Sequence, residues 1–463
     1  MEQSLFEHIE RREKMLTEIS DSIWGLAELK FEEHASMETL CTLLEDEGFH
    51  IEKGVGGLDT AFIASYSVGS GHPVIGLLSE YDALSGMSQV GGVSTQQTAI
   101  DQSNGHGCGH NLLGVGMCGS AIALRHVLEE FQFDGMIRLY GCPAEEGGSG
   151  KTYMVRAGLF KDVDVALTWH PGDDHSVSQG TTLANIQSYF RFKGVSSHAA
   201  ISPHLGRSAL DAVELMNVGV NYLREHIIPE ARVHYAVTHT GGHSPNVVQA
   251  DAEVLYLIRA PLVKDAQHIY ERIEQVAKGA ALMTETEVDV EFDKACSNVI
   301  PNKVLYKEMH DVFSSIELPT YTEPELDCAK KIARTISTVD SGDVIAQEIK
   351  PLQENEWAAS VSTDVGDVSW VVPTVQCGTA CFVKGTHFHS WQMVSQSVTS
   401  FAHKGMIHAS KVVAATALRL FTNQQIIDKA RNEWEERLRG MSYTSPIPAH
   451  VHPPYKRMVA CSE

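Results

Sequence analysis

The sequence predicts an α/β protein with a smaller, four-stranded α+β domain inserted into it, and three observations carry that expectation. Between residues 60 and 170, short apolar runs alternate with helical patterns and end in polar residues, as in a sheet whose site lies at the carboxyl edges of its strands. Near Asn185 the pattern changes to Phe190 and Phe192 alternating with Arg191 and Lys193. At 463 residues the chain exceeds one ordinary core. The expected division is 1–184 and 298–463 for the larger domain and 185–297 for the insertion.

Taken in order, residues 5–44 show helical periodicity in two blocks split near Gly25 to His34. Two strand-like runs follow, Thr60 to Tyr66 and Val74 to Ser79, around the turn Gly69-Ser70-Gly71. The second runs into Glu80-Tyr81-Asp82-Ala83-Leu84. A loop then reaches Asn104-Gly105-His106-Gly107-Cys108-Gly109-His110-Asn111, where glycines let short side chains converge on a point. The small, apolar stretch Leu112 to Leu124 reads as a buried helix, so this loop sits at a helix entrance.

The next strand, Met136 to Tyr140, runs into Pro143-Ala144-Glu145-Glu146. Helical residues Thr152 to Ala157 precede a strand from Val163 to Thr168, which ends in Trp169-His170-Pro171. In the insertion, Gly194 to Ala200 leads to an amphipathic helix over Gly206 to Glu225. Strand runs Arg232 to Thr238 and Val247 to Ile258 flank Gly241 to Asn246. A helix near Asp265 to Ala280 and a strand near Glu287 to Phe292 complete it, and the first sheet resumes near Asn298. Residues 316–360 read as an elaborated insertion. Beyond Ser362 to Asp367 lie a strand-like region, Gly385 to Trp391, and helices over Met393 to Phe421 and Asn423 to Arg439. The tail after Ser442 carries no pattern.

Composition narrows the function. A net charge of −23 argues against nucleic acid or anionic membrane as a partner, since both want a basic surface. Met1 to Met15 has no signal-peptide core, and no uninterrupted apolar run approaches membrane-spanning length. Nine scattered cysteines suit a reducing compartment, so a cytoplasmic protein is expected.

A Cys-x-His pair in a glycine-rich turn is, alone, as well explained by a buried cysteine. Here further donors accumulate. Cys108, His110, Glu146, His170 and His389 are ligand types for zinc or a late transition metal, and the first four are expected at one sheet edge. His387 competes with His389, and His106 either orients the loop or touches metal. Of two adjacent acids, Glu145 and Glu146, one can ligate while its neighbour takes a proton from water. Asp82 and Asp367 read as acids that orient ligand imidazoles. Cys118 and Cys142 read as core.

These motifs resemble the aminoacylase/carboxypeptidase-type di-metal metallopeptidases, and within them the branch that hydrolyses N-acylated amino acids. The resemblance runs from Ala27-Glu28-Leu29-Lys30-Phe31 to the helix after His389. It implies a zinc-peptidase-like catalytic domain with a mixed sheet, and an inserted lid and dimerisation domain. It also implies two divalent metals, manganese or zinc, bridged by Cys108, with Glu145 as general base. His198 matches a residue that reaches the partner's site and stabilises an oxyanion. Asn246 and Arg259 match positions that hold the substrate, with Arg207 and Lys193 as weaker matches. Asn111 and Glu80 depart from the aspartates of the broader family, which bears on the choice of metal.

The implied activity is a metal-dependent amidohydrolase on a small acyl-amino acid, first p-aminobenzoyl-glutamate. Runners-up are a β-alanyl or related dipeptidase, an N-acyl-aspartate hydrolase, or a silent subunit supporting a paralogous partner. A homodimer through the inserted domain is expected, with room for that paralogous subunit.

Overall fold

The computed structural model describes residues 1–100, 102–336 and 343–453. Among these, eleven strands form two sheets. The second sheet holds β7 (Ala184–Lys193), β8 (Arg232–His239), β9 (Asp251–Ala260) and β10 (Glu287–Cys296), ordered β10-β7-β9-β8 and antiparallel throughout. The first takes β1 (His50–Lys53), β2 (Phe62–Val68), β3 (Val74–Glu80), β4 (Gly135–Cys142), β5 (Val165–Gly172) and β6 (Ser176–Val177). It also takes β11 (Thr374–Ala380) from far along the chain, giving the order β1-β2-β4-β3-β5-β11-β6. Its centre is parallel, β4 to β3 to β5 to β11, and its flanks are antiparallel.

β3 is buried at every position, as its unbroken apolar run requires of a strand covered on both faces. Ile75 and Leu77 point into one core with Ile137 and Leu139 of β4. Val74 and Leu78 point into the other with Tyr140 and Cys142. The first core takes residues from helices α1 (Glu2–Glu10), α2 (Glu13–Leu26), α3 (His34–Asp46) and α4 (His110–Phe131), and from later helices between residues 303 and 438. By length and composition α4 could cross a bilayer, but 89% of its apolar window is buried inside the protein. It packs on β3, β4 and β5 and is a core helix.

α5 (Gly150–Arg156) lies on the other face of the sheet and contributes Tyr153, Met154 and Val155 to the second core. α6 (Ala209–Leu223) and α7 (Val263–Thr284) pack on one another and on the second sheet. Beyond β10 come α8 (Lys303–Ser315), α9 (Glu323–Ala333), α10 (Val365–Ser369), α11 (Trp391–Gln396), α12 (Ser400–Thr422) and α13 (Gln424–Leu438).

Several expectations shift in detail. The helical stretch 5–44 is three helices, broken also at Arg11-Arg12. The turn at Gly69 to Gly71 closes no hairpin, because β2 and β3 lie on opposite sides of β4. The expected helix from Met393 to Phe421 is two, since Thr399 caps α12 by accepting from Ala402 N. Residues 316–360 contain α9, opened by a Thr322/Glu325 capping box, and a strap bridging His175 to Ile349 and Thr181 to Ala358. Residues 337–342 of that stretch lie outside the described residues. The tail is anchored: Ile447 is buried, and Arg156 donates to the carbonyls of Pro448 and Val451.

Candidate metal centre

The glycine-rich loop is fixed at both ends. Gly105 and Leu84 exchange backbone hydrogen bonds at 3.0 Å, tying it to the segment after β3. Gly109, at φ 75°, turns the chain into α4, and a Cβ there would lie 2.8 Å from Pro171 Cγ. That turn makes His110 the first residue of α4 and sets Cys108 just before it. His106 is buried and its Nε2 meets the carbonyl oxygen of Ile23 at 3.1 Å, so it orients the loop against α2.

Five donors from four places converge. Cys108 Sγ lies 3.4 Å from His170 Nε2, at the end of β5. His170 Nδ1 is held by the Pro171 carbonyl at 2.9 Å, which turns Nε2 inward. Glu146 Oε2 lies 3.3 Å from His389 Nε2. His389 stands at φ 58°, and its amide donates to Gly107 O at 2.9 Å, laying the last loop against the glycine-rich one. Cys108, His110 and His170 offer ligand atoms within 4.8 Å of one another, as do Cys108, Glu146 and His389, and Cys108 is common to both groups. His387 is exposed and belongs to neither.

Asp82 ties this arrangement together. Its Oδ1 takes His110 Nδ1 at 2.8 Å and its Oδ2 takes the Glu146 amide at 2.9 Å, so one carboxylate aims the imidazole and pins the acid loop. The loop is supported from behind by Glu33, which accepts from Ala144 N at 2.8 Å and Thr60 Oγ1 at 2.9 Å. Burial, then Asp82, pushes the Glu33 carboxyl up to about 8.

The charges fit a cation site. Burial and the neighbouring charges of Glu80, Glu146 and Asp364 push Glu145 up to about 8. Burial works against the charge of Glu146, yet the His389 hydrogen bond and the His110 and His389 charges hold it at about 2. Burial, then Glu146, raises the Cys108 thiol. His110 Nε2 and Glu146 Oε1 are buried polar atoms without a hydrogen-bond partner. Soft thiolate, imidazole and carboxylate donors around two orphaned polar atoms fit divalent metal.

The substrate-binding candidates lie apart. Loop 194–200 is laced to 246–250, with Ala199 N donating to Asn246 O and Val248 N to Ser197 O, so His198 and Asn246 are neighbours. Both are exposed, and His198 Nδ1 accepts from the amides of Ala200 and Ile201 at 3.2 Å. Arg259 donates to Ser362 Oγ at 2.7 Å. Arg207 is turned to Glu285 at 2.8 Å and to the carbonyls of His204 and Gly206. Lys193 is exposed at the end of β7. Among the described residues no hydrogen bond or ion pair joins any of these to the donor cluster.

Asp367 corrects an expectation: among the described residues it hydrogen-bonds to no imidazole. It accepts from Thr152 Oγ1 at 2.8 Å, Ser297 N at 2.9 Å, Ser297 Oγ at 2.8 Å and Tyr443 Oη at 2.8 Å, joining α5, the end of β10 and the tail. Burial pushes it up to about 6. Asn111 is also structural: its amide donates to Ser20 and Ser397, away from the donors. Lys151 and Asp364, both fully buried beside Glu80, are absent from the expectations. A buried lysine reads in sequence like a solvated one.

Across 468 aligned residues, spanning 96% of this chain and 97% of that protein, the chain is 48% identical to one subunit of the p-aminobenzoyl-glutamate hydrolase of Escherichia coli strain K12. It is 29% identical to Xaa-Arg dipeptidase of Mus musculus, over 94% of this chain and 92% of that one. The fold matches the Bacillus subtilis YXEP protein, described as a dinuclear metal binding peptidase from the M20 family, at TM-score 0.53 and 17% identity, over 87% of this chain and 99% of that one. Residues 76–333, the span that carries Cys108, His110, Glu145, Glu146 and His170, match the peptidase family M20/M25/M40, and the chain belongs to that family.

Proposed function

We propose that the protein is a metal-dependent amidohydrolase that splits an acyl group from a small amino acid, with p-aminobenzoyl-glutamate as the first substrate to test. The observation that carries this reading is Cys108 shared by two donor groups, with Glu145 beside Glu146 at the same edge. Cys108, His110, Glu146, His170 and His389 would hold two divalent cations, manganese or zinc. Bound there, the metal supplies Lewis acidity to the scissile carbonyl and lowers the pKa of water. Glu145 takes a proton from the attacking water and delivers it to the amide nitrogen as the C–N bond breaks, releasing the amine. Asp82 keeps the His110 imidazole aimed at the site.

The segment 185–297 acts in this proposal as lid and dimerisation domain, with His198 of a partner chain steadying the oxyanion. Asn246 and Arg259 take the carbonyl and carboxylate of the substrate. A dipeptidase is the second reading, favoured by the pairing of Arg207 with Glu285, which engages that guanidinium elsewhere. A paralogous second subunit is also proposed, since the bacterial relative is one subunit of its hydrolase. The eight described cysteines are all free thiols, in support of a reducing, cytoplasmic setting.

The test is hydrolysis of p-aminobenzoyl-glutamate by chelated protein, then with manganese or zinc restored. Metal-restored glutamate release is expected, and Glu145→Gln should lose it by at least about 100-fold while retaining metal. Release of amino acid from dipeptides alone would move the substrate to the second reading. Full activity of Glu145→Gln would remove Glu145 from the mechanism.

A further inference from the structure

Behind the donor cluster lies a buried ion triad that the proposed chemistry does not use. Lys151, in the first turn of α5, is fully buried, with Nζ 2.6 Å from Glu80 Oε1 and 2.7 Å from Asp364 Oδ1. Asp364 Oδ2 also takes the Lys151 backbone amide at 2.9 Å. Glu80 is the last residue of β3, 3% exposed, with its backbone set by pairing opposite Cys142. One ammonium between two carboxylates leaves one negative charge over, and a buried charge requires a partner.

The uncommitted oxygen shows where that charge is directed. Glu80 Oε2 lies 3.3 Å from His110 Nε2. The other ring nitrogen, Nδ1, is engaged by Asp82, which leaves Nε2 as the ring atom presented to Glu80 and the donor cluster. His110 Nε2 is fully buried and has no hydrogen-bond partner. Glu145 closes the triangle: Glu80, His110 and Glu145 offer ligand atoms within 4.8 Å of one another. Three ligand residues held together by separate anchors, with a buried ring nitrogen among them that no hydrogen bond satisfies, fit a cation between them.

We propose that Glu80 is a further metal donor of this site, and that Lys151, itself fixed by Asp364, is the positioning residue that holds it there. This rests on the reading of the cluster as a cation site. Lys151 takes one oxygen of Glu80 and so turns the other toward His110. A glutamate spans from the end of β3 to both Lys151 and the cluster, where an aspartate is one methylene short. The departure at position 80 and the buried lysine thus belong to one device.

The experiment measures manganese and zinc binding by calorimetry and by metal content after dialysis, together with the visible spectrum of the cobalt-loaded protein. Glu80→Gln keeps the shape and the oxygen that Lys151 needs. It is expected to fold as the parent does, to bind the weaker cation roughly 10–100-fold less tightly and to alter the cobalt spectrum. Glu80→Asp retains the charge, shortens the reach and should weaken binding too, and it decides the matter if Glu80→Gln fails to fold. A folded variant with parental affinity and an unchanged cobalt spectrum would overturn the proposal, making Glu80 a salt-bridge partner of protonated His110. If the parent binds no cation, the reading of the whole cluster fails first, and the two failures are distinguishable.

Discussion

At Asn111 a single atom decides what the residue is for. Its side-chain nitrogen donates to Ser20 Oγ and Ser397 O, both at 3.1 Å, and approaches Ser20 O at 3.4 Å, tying α4 to α2 and to the segment after α11. A carboxylate has no hydrogen to give and would set its oxygens against two carbonyls. Asn111→Asp should therefore cost about 1–3 kcal/mol in urea unfolding with metal affinity unchanged. A variant as stable as the parent would return position 111 to tuning of the metal. The donors themselves were legible in sequence, because Cys, His and paired Glu at strand ends and in glycine-rich loops have few other reasons to gather. Their supports were not. Glu33, Lys151 and Asp364 look like ordinary surface charges until the fold buries them, and the partners of Asp367 come from segments that only the finished fold brings together.

Among elements, α12 brings a second histidine pair into the core. His408 on α12 faces His175, which lies between β5 and β6, with ring centroids 5.5 Å apart and Phe313 of α8 against both. Burial lowers His408 to about 3, helped by His175 and Lys411. Burial also lowers His175 to about 4, against the opposing pull of Asp174 and of a hydrogen bond to the backbone of Ala346. Both folded values lie below the ordinary 6.5, so the unfolded chain takes up protons first as pH falls. Their contribution is whole above pH 6.5 and is lost progressively between 6.5 and about 3. The denaturation midpoint should drop across that window, and less steeply in His408→Leu; equal slopes would assign the acid sensitivity to other groups. Elements with a strong period were legible, α4, α6 and α7 among them. β1 was not, since three of its four residues, in His-Ile-Glu-Lys, are exposed and carry no alternation to read. Nor was the break before α12, where the helical period resumes almost in phase after the Thr399 cap.

For the whole molecule, the open side of the second sheet bears on assembly. β8 is its edge strand, with Tyr235 and Val237 exposed, and on α6 Val218 and Tyr222 stand out, Tyr222 at 73% exposure. An apolar edge of this kind calls for a cover, and a second copy is the proposed one. If His198 serves the partner's site, mixing inactive His198→Ala with inactive Glu145→Gln should restore part of the activity; no recovery would keep the site within one chain. The alternation of strands and helices announced both sheets, but the pairing of distant strands is invisible to local pattern. β11, which carries no donor itself, enters the sheet between β5 and β6 some two hundred residues after them. During synthesis, then, the ribosome must release everything up to Ala380 before that sheet can close, and nine residues more before His389 appears. Until that moment the nascent chain displays the bare edge of β5, a template for wrong pairing. The full donor set can therefore assemble only after the sheet is complete, and a product truncated before β11 would keep the β5 edge bare.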